Sequence, residues 1–275
     1  MSVRIATRPS PLAKIQANKV GHLLGVDFQL VEVSTSGDVD QSSPISKIAG
    51  NGVFVKEIQR AVLENKADLA VHSAKDLPSC DTTGLVIGAF PEREDPRDVL
   101  VGSTLDQLGF GAELATGSQR RRAQIAKLRP DLVFVDIRGN IATRIEKAAC
   151  VVVAACALKR LEMTERICEY FELDRMVPQV GQGALAVECR QDDFQSLALL
   201  SSIDNAQVRR CVESERAFLG YFGGGCDLPI GAYATLEGDE ISLTSVFEGQ
   251  GELIRKSICG KDPYRLGREL AEKYQ

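Results

Sequence analysis

The sequence predicts an α/β protein, with two α/β lobes joined by two crossover segments and a small α+β domain at the C-terminus. Three observations lead there. Strand-like and helix-like runs alternate over the first 190 or so residues, which is the pattern of a mostly parallel sheet covered by helices. Two linker-like stretches, the charged, proline-bounded Pro91–Asp98 and the glycine–proline run Met176–Gly183, interrupt that alternation. The last 70 or so residues then change character, with one helix, a glycine-rich turn and three strand-like runs.

The bulk numbers agree. A chain of 275 residues is long for one core, so two or three domains are expected. Hydrophobic content of 44% and charged content of 26% are those of an ordinary globular protein. The start, Met1-Ser2-Val3-Arg4-Ile5, runs straight into a strand without a basic and apolar leader, and no apolar run approaches bilayer length, so a cytoplasmic protein without a membrane partner is expected.

The net charge of −5 argues against nucleic acid as a partner. Arginines nevertheless outnumber lysines 21 to 12, and Arg120, Arg121, Arg122, Arg129, Arg138, Arg144 and Arg160 share one 41-residue span. Guanidinium groups grip carboxylates and phosphates through paired hydrogen bonds, so a local anion site is expected inside an acidic protein.

In chain order, residues 3–7 predict a first strand, after which Ser10 is a good N-cap and Pro11 a good first helical residue. Leu12, Ile15, Lys19, Val20 and Leu23 trace the expected apolar stripe of that helix. A second strand is expected over 28–34, then a polar loop over 35–51, a helix over 53–63 and a short buried strand over 68–71. That strand leads into His72-Ser73-Ala74-Lys75-Asp76-Leu77-Pro78, where a parallel sheet binds its ligands beyond the strand ends.

A strand over 85–90 precedes the first linker. Beyond it, strands are expected over 113–116, 132–137 and 150–155. Ser118 caps a helix with Arg120 and Arg121 in its first turn, where unpaired N–H groups already favour an anion. The later strands open into Arg138-Gly139-Asn140, with Arg144 a turn further on, and into Leu158-Lys159-Arg160-Leu161. Three successive strand ends offering arginine are harder to explain by surface solvation than one.

After the second linker a strand over 184–189 is expected, and crossing twice leaves a cleft between the lobes. This is a periplasmic-binding-protein-like organisation, with domain 1 over 1–92 and 184–202, domain 2 over 97–178 and domain 3 over 204–275. In domain 3, Asp204 and Gln207 fit a capping box, and Val208, Cys211, Val212, Phe218, Leu219 and Phe222 share one helical stripe. Strands near 230–235, 240–247 and 252–259 and a helix from Pro263 follow.

Between them lies Gly223-Gly224-Gly225-Cys226-Asp227-Leu228-Pro229, in which glycines and a proline keep Cys226 on an exposed loop. Most of the other cysteines, at 80, 150, 156, 168, 189, 211 and 259, fall in apolar or helical patterns and act as small hydrophobes. No Cys-x-x-Cys pair occurs and the chain has two histidines, so no metal is expected.

Nine runs, in order along nearly the whole chain, resemble the porphobilinogen deaminase family, also called hydroxymethylbilane synthases. They are Arg4-Ile5-Ala6-Thr7-Arg8 with Ser10-Pro11-Leu12-Ala13, Phe54-Val55-Lys56-Glu57, Val71 through Pro78, and Arg93 through Asp98. Arg120-Arg121, Arg138-Gly139-Asn140 with Thr143-Arg144, Leu158 through Leu161, Gly181-Gln182-Gly183-Ala184 and the Gly-Gly-Gly-Cys loop complete them.

The resemblance implies a deaminating transferase that joins four porphobilinogen molecules into hydroxymethylbilane, releasing ammonia each time, in porphyrin and haem biosynthesis. It implies a dipyrromethane cofactor held by a thioether on Cys226, a cofactor set of Lys75, Arg120, Arg121, Ser118, Thr116 and Gly183, and a monomer. Asp76 matches the catalytic aspartate, a fixed negative charge able to stabilise a cationic pyrrole and move protons. Arg8, Ser10, Gln16, Arg138, Arg144 and Arg160 match substrate-binding positions that grip acetate and propionate side chains.

The sequence departs from the family's pattern at Ser36, where arginine is frequent, at Asn51, where lysine is frequent, and in a shortened connection between Arg144 and Leu158. Two other readings of the residues stay open here. One is a two-lobed anion binder without catalysis; the other is a cysteine hydrolase pairing Cys226 with His72.

Overall fold

A computed structural model describes residues 2–35, 55–223, 228–249 and 251–274. The expectations for the 35–51 loop, from Ser36 onward and including Asn51, and for Cys226 lie outside the described residues. In chain order the strands are β1 (Val3–Thr7), β2 (Phe28–Glu32), β3 (Leu69–Ser73), β4 (Leu85–Ala89), β5 (Asp98–Val101), β6 (Glu113–Ala115), β7 (Val133–Val135), β8 (Val151–Ala154), β9 (Ile167–Tyr170), β10 (Leu185–Arg190), β11 (Ile230–Glu237), β12 (Glu240–Gly249) and β13 (Glu252–Gly260). They form three sheets, ordered β2-β1-β3-β10-β4, β7-β6-β8-β5-β9 and β11-β12-β13. The chain divides into two compact units, Met1–Arg93 with Ala184–Arg209, and Glu94–Gly183 with Arg210–Gln275.

In the first unit β1, β2 and β3 are parallel, while β10 runs antiparallel between β3 and β4. Both faces of this sheet are covered, and each packs an apolar cluster against helices. Ile5, Leu69, Val71, Leu185 and Val187 pack with Ala17, Val20 and Leu24 of the helix Pro11–Leu24 and with Leu200 of the helix Phe194–Ser201. Ala6, Ala70 and Leu85 pack on the other face with Ile58, Ala61 and Val62 of the helix Lys56–Leu63.

The second unit contains a sheet of the same strand order. β6 and β7 are parallel, β8 joins them parallel, and β5 runs antiparallel between β8 and β9. Val99, Val101, Val151 and Val153 face Ile145 and Leu158, while Leu100, Leu114 and Val152 face Ile125 of the helix Gln119–Leu128. The unit also holds the antiparallel sheet β11-β12-β13, whose Ile230, Ala232, Ile241 and Leu243 pack against Cys211 and Phe218 of the helix Ala206–Tyr221 and Leu266 and Leu270 of the helix Pro263–Glu272. This is the α/β class with two sheet-plus-helix lobes and a small C-terminal sheet.

Several local expectations are corrected. The first helix buries Gln16, Ala17, Val20, Gly21 and Leu24, not the stripe through Ile15 and Leu23, which are 36% and 48% exposed. Its packed face is built on small residues: a Cβ at Gly21 would stand 2.5 Å from the Phe28 ring, so close approach outweighs side-chain hydrophobicity. The cap of the helix Ala206–Tyr221 is Asn205, whose Oδ1 accepts from the backbone N–H of Gln207 and Val208. Asp204 instead accepts from the Phe90 N–H and pairs with Arg209. β5, β9 and the helix Phe194–Ser201 carry no legible periodicity in so few residues. Cys80, Cys168 and Cys259 are exposed, so exposure does not by itself single out one cysteine.

Candidate active site

In the first unit, β3 ends in a 3-10 turn, Ala74–Asp76, closed by the Leu77 N–H donating to Ala74 O. The Ala74 N–H donates to Ala184 O, so the turn starts from a paired backbone. Asp76 is half-buried and lines a cleft with Arg8, Ser10, Leu12, Ala13, Gln16, Val55, Ile58, Val71, His72 and Ser73. Ser10 Oγ accepts from the Ala13 N–H, capping the first helix. Gln16 is 4% exposed and donates from Nε2 to Ser73 Oγ at 2.8 Å. The cleft thus gathers Arg8, Ser10, Gln16 and Asp76, and half-buried Lys75 stands next to Asp76 in the turn.

In the second unit the arginines of the helix Gln119–Leu128 converge on an acid that the sequence reading passed over. Asp98, at the start of β5, is fully buried. Its Oδ2 accepts from Arg120 Nη1 at 2.7 Å, and its Oδ1 accepts from Arg121 Nε and Nη2 and from Gln182 Nε2. Burial works against ionisation of Asp98, but the Arg120 and Arg121 charges outweigh it and hold the carboxyl well below the usual range. Asp98 sits within a run read as a linker, so the signal was its distance from Arg120 in space, which sequence does not display.

The two arginines then differ. Arg121 has all three guanidinium nitrogens engaged, the third donating to Val152 O. Arg120 uses Nη1 for both Asp98 and Val177 O, while its Nε and Nη2 are buried without a hydrogen-bond partner among the described residues. Arg120 lines a pocket with Ser118, Gln179, Val180, Leu219, Leu228 and Ile230, and Leu228 is two residues beyond Cys226. Ser118 caps the helix by accepting from the Arg121 N–H, and the buried Thr116 accepts from the Ser118 N–H.

Arg138 has its Nη2 buried without a partner among the described residues, and Arg144 Nε donates to Gly139 O. Asn140 caps the short helix Ile141–Lys147, which carries Arg144. Arg160, its side chain 5% exposed, donates from Nε to Glu94 Oε2 and from Nη2 to Gly183 O, so it ties the two crossover segments together. Gly183 has φ +89, and a Cβ there would stand 2.3 Å from Glu94 O. Its glycine is required by that approach and by the left-handed backbone.

The family model described as "Porphobilinogen deaminase, dipyromethane cofactor binding domain" matches residues 3–198, and "Porphobilinogen deaminase, C-terminal domain" matches residues 209–275. The chain belongs to the porphobilinogen deaminase family. Among its relatives, a porphobilinogen deaminase of Brevibacillus brevis is 43% identical over 98% of this chain and 92% of its own length. Those of Syntrophus aciditrophicus and Roseiflexus castenholzii are each 41% identical, over 98% and 99% of this chain and 94% and 95% of their own. Members of this family are transferases that polymerise porphobilinogen into hydroxymethylbilane in tetrapyrrole biosynthesis. The anion-binder and cysteine-hydrolase readings give way to this membership.

The residues of the second unit fit a polycarboxylate cofactor. Two buried N–H-bearing atoms of a guanidinium without a partner among the described residues call for an acceptor, and a carboxylate meets that need with paired charge-assisted bonds. Ser118, at a helix N-terminus, adds a hydroxyl and the positive end of the helix dipole beside Arg120.

Proposed function

We propose that this chain joins porphobilinogen into hydroxymethylbilane with Asp76 as the catalytic carboxylate, Cys226 as the thioether anchor of a dipyrromethane cofactor, and three domains over 1–92 with 184–202, 97–178 and 204–275. The observation that carries the reading is the Arg120 guanidinium, buried with two nitrogens unpartnered among the described residues, in a pocket whose wall includes Leu228, next but one to Cys226 in the sequence.

Arg120, Arg121, Lys75, Ser118, Thr116 and Gly183 hold the cofactor; when bound, it supplies a nucleophilic pyrrole carbon and a fixed anchor for the chain. Arg8, Arg138, Arg144 and Arg160 hold the acid side chains of the substrate, with Ser10 and Gln16 as hydrogen-bonding partners. Each charge-assisted bond is worth about 1.5–3 kcal/mol, so several hold a polyanion while one carboxylate acts repeatedly. Asp76 stabilises the positive charge that develops as ammonia leaves, and accepts the proton released when the new carbon–carbon bond forms. The reading includes a monomer in the cytoplasm, which light scattering and cell fractionation check.

Intact-mass measurement of the purified protein, with a pyrrole colour from Ehrlich's reagent, tests the cofactor: a dipyrrole adduct mapping to Cys226 is expected. An adduct on any other cysteine refutes the anchor. For the chemistry, Asp76→Asn keeps the shape and removes the charge; ammonia release falls by orders of magnitude, and a near-normal rate overturns the assignment.

A further inference from the structure

On the face of the first sheet that meets the helix Lys56–Leu63 lies a polar cluster with no task in the account above. In the β3–β10 ladder Ala186 stands opposite His72 and Glu188 opposite Ala70, so His72 and Glu188 rise from one face of adjacent strands, offset by two residues. His72 Nε2 is 3.0 Å from Glu188 Oε2, and the two side chains are 3% and 4% exposed. The carboxylate oxygen lies out of line with the ring N–H, so this contact is one of charge and proximity rather than an aligned hydrogen bond.

Gln59 completes the cluster. Its Nε2 is 3.0 Å from each Glu188 oxygen, and its Oε1 accepts from Thr82 Oγ1 at 3.1 Å. A carboxylate at this depth needs donors, and Gln59 Nε2 supplies one within reach of both Glu188 oxygens, while His72 Nε2 lies in contact with one of them. With Nε2 against Glu188, the ring has one orientation. The same ring lines the cleft that contains Asp76, four residues along the chain.

We propose that His72, held by Glu188 and Gln59, is a positioning residue for the reaction at Asp76, keeping one ring orientation in the cleft wall against which the incoming pyrrole and its acid side chains align. The inference rests on the reading of Asp76 as the reacting carboxylate. Orientation errors in a reacting complex lower turnover more than binding, so the expected signature is in kcat rather than KM.

The test is steady-state ammonia release by cofactor-loaded enzyme, loading being checked by intact mass, for the wild type, His72→Gln, Glu188→Gln, the double variant, Gln59→Met and Asp76→Asn. Glu188→Gln lowers kcat about tenfold with KM within twofold. The double variant is no slower than the slower single one, because the pair acts as a unit. Gln59→Met, which keeps both titratable groups, lowers kcat about threefold. Wild-type kcat in folded, loaded Glu188→Gln overturns the proposal, as do losses that multiply in the double variant, or a raised KM with unchanged kcat. Should Glu188→Gln fail to fold, wild-type kcat in Gln59→Met overturns it instead. Asp76→Asn separates the two levels: its activity refutes the Asp76 reading, whereas its inactivity beside a fully active Glu188→Gln refutes the positioning role alone.

Discussion

A fully buried carboxylate requires opposite charge in contact, and Asp98 obtains it from two guanidinium groups one residue apart on the same helix. Replacing it with asparagine leaves those cations buried without their counter-charge. Asp98→Asn is expected to cost about 3–5 kcal/mol, read as a lower urea midpoint. The pH dependence follows from the same group. Its folded-state value lies below its unfolded one, so its stabilisation is complete above the unfolded value, near pH 4, and drains away as pH falls through the folded value. Urea midpoints followed downward from pH 5 should fall for the wild type and fall less steeply for Asp98→Asn. Arg138 stands differently, with Nη2 buried and unpartnered among the described residues. Lysine cannot reproduce a two-pronged grip on a carboxylate, so Arg138→Lys should stall elongation at an intermediate complex. Mass spectra with the normal ladder of enzyme complexes count against that.

The helix Gln119–Leu128 shows how a short element is fixed at its start. Ser118 accepts from the Arg121 N–H, and the first turn it secures carries both arginines toward Asp98. Ser118→Ala removes the cap and should cost about 1 kcal/mol, a fall of about 2–4 °C in melting temperature for a chain of this size. The crossover at Gly183 is less forgiving. Its φ of +89 and the nearby Glu94 carbonyl leave no room for a methyl group. Gly183→Ala should destabilise by more than the Ser118 change and also disturb the Arg160 bond to Gly183 O, both visible in thermal unfolding.

The two five-stranded sheets share one strand order, and each completes itself with a strand received at a crossover. β10, placed between β3 and β4, is reached after the second crossover; β5, placed between β8 and β9, directly follows the first. Neither compact unit is one continuous stretch of chain. A fragment of residues 1–93 lacks β10, leaving β3 and β4 with unpaired edges and exposing the apolar partners of Leu185, Val187 and Cys189. Circular dichroism of that fragment should show little native structure, and a cooperative native-like melt would contradict this account of the first sheet.

By itself the sequence determined the run of longer elements, the Ser10 and Ser118 caps, the C-terminal strands to within two or three residues, and the motif series that marks the family. Those are local properties, set by period, by capping chemistry and by residue order. Tertiary structure decided the rest. It made strands of Asp98–Val101 and Ile167–Tyr170, too short to show a period, by pairing them with partners remote in sequence. It chose the small-residue face of the first helix by close packing against Phe28. It also distinguished Arg121, engaged at every nitrogen, from Arg120, which keeps two without a partner among the described residues, because whether a buried charge is satisfied depends on what surrounds it in space.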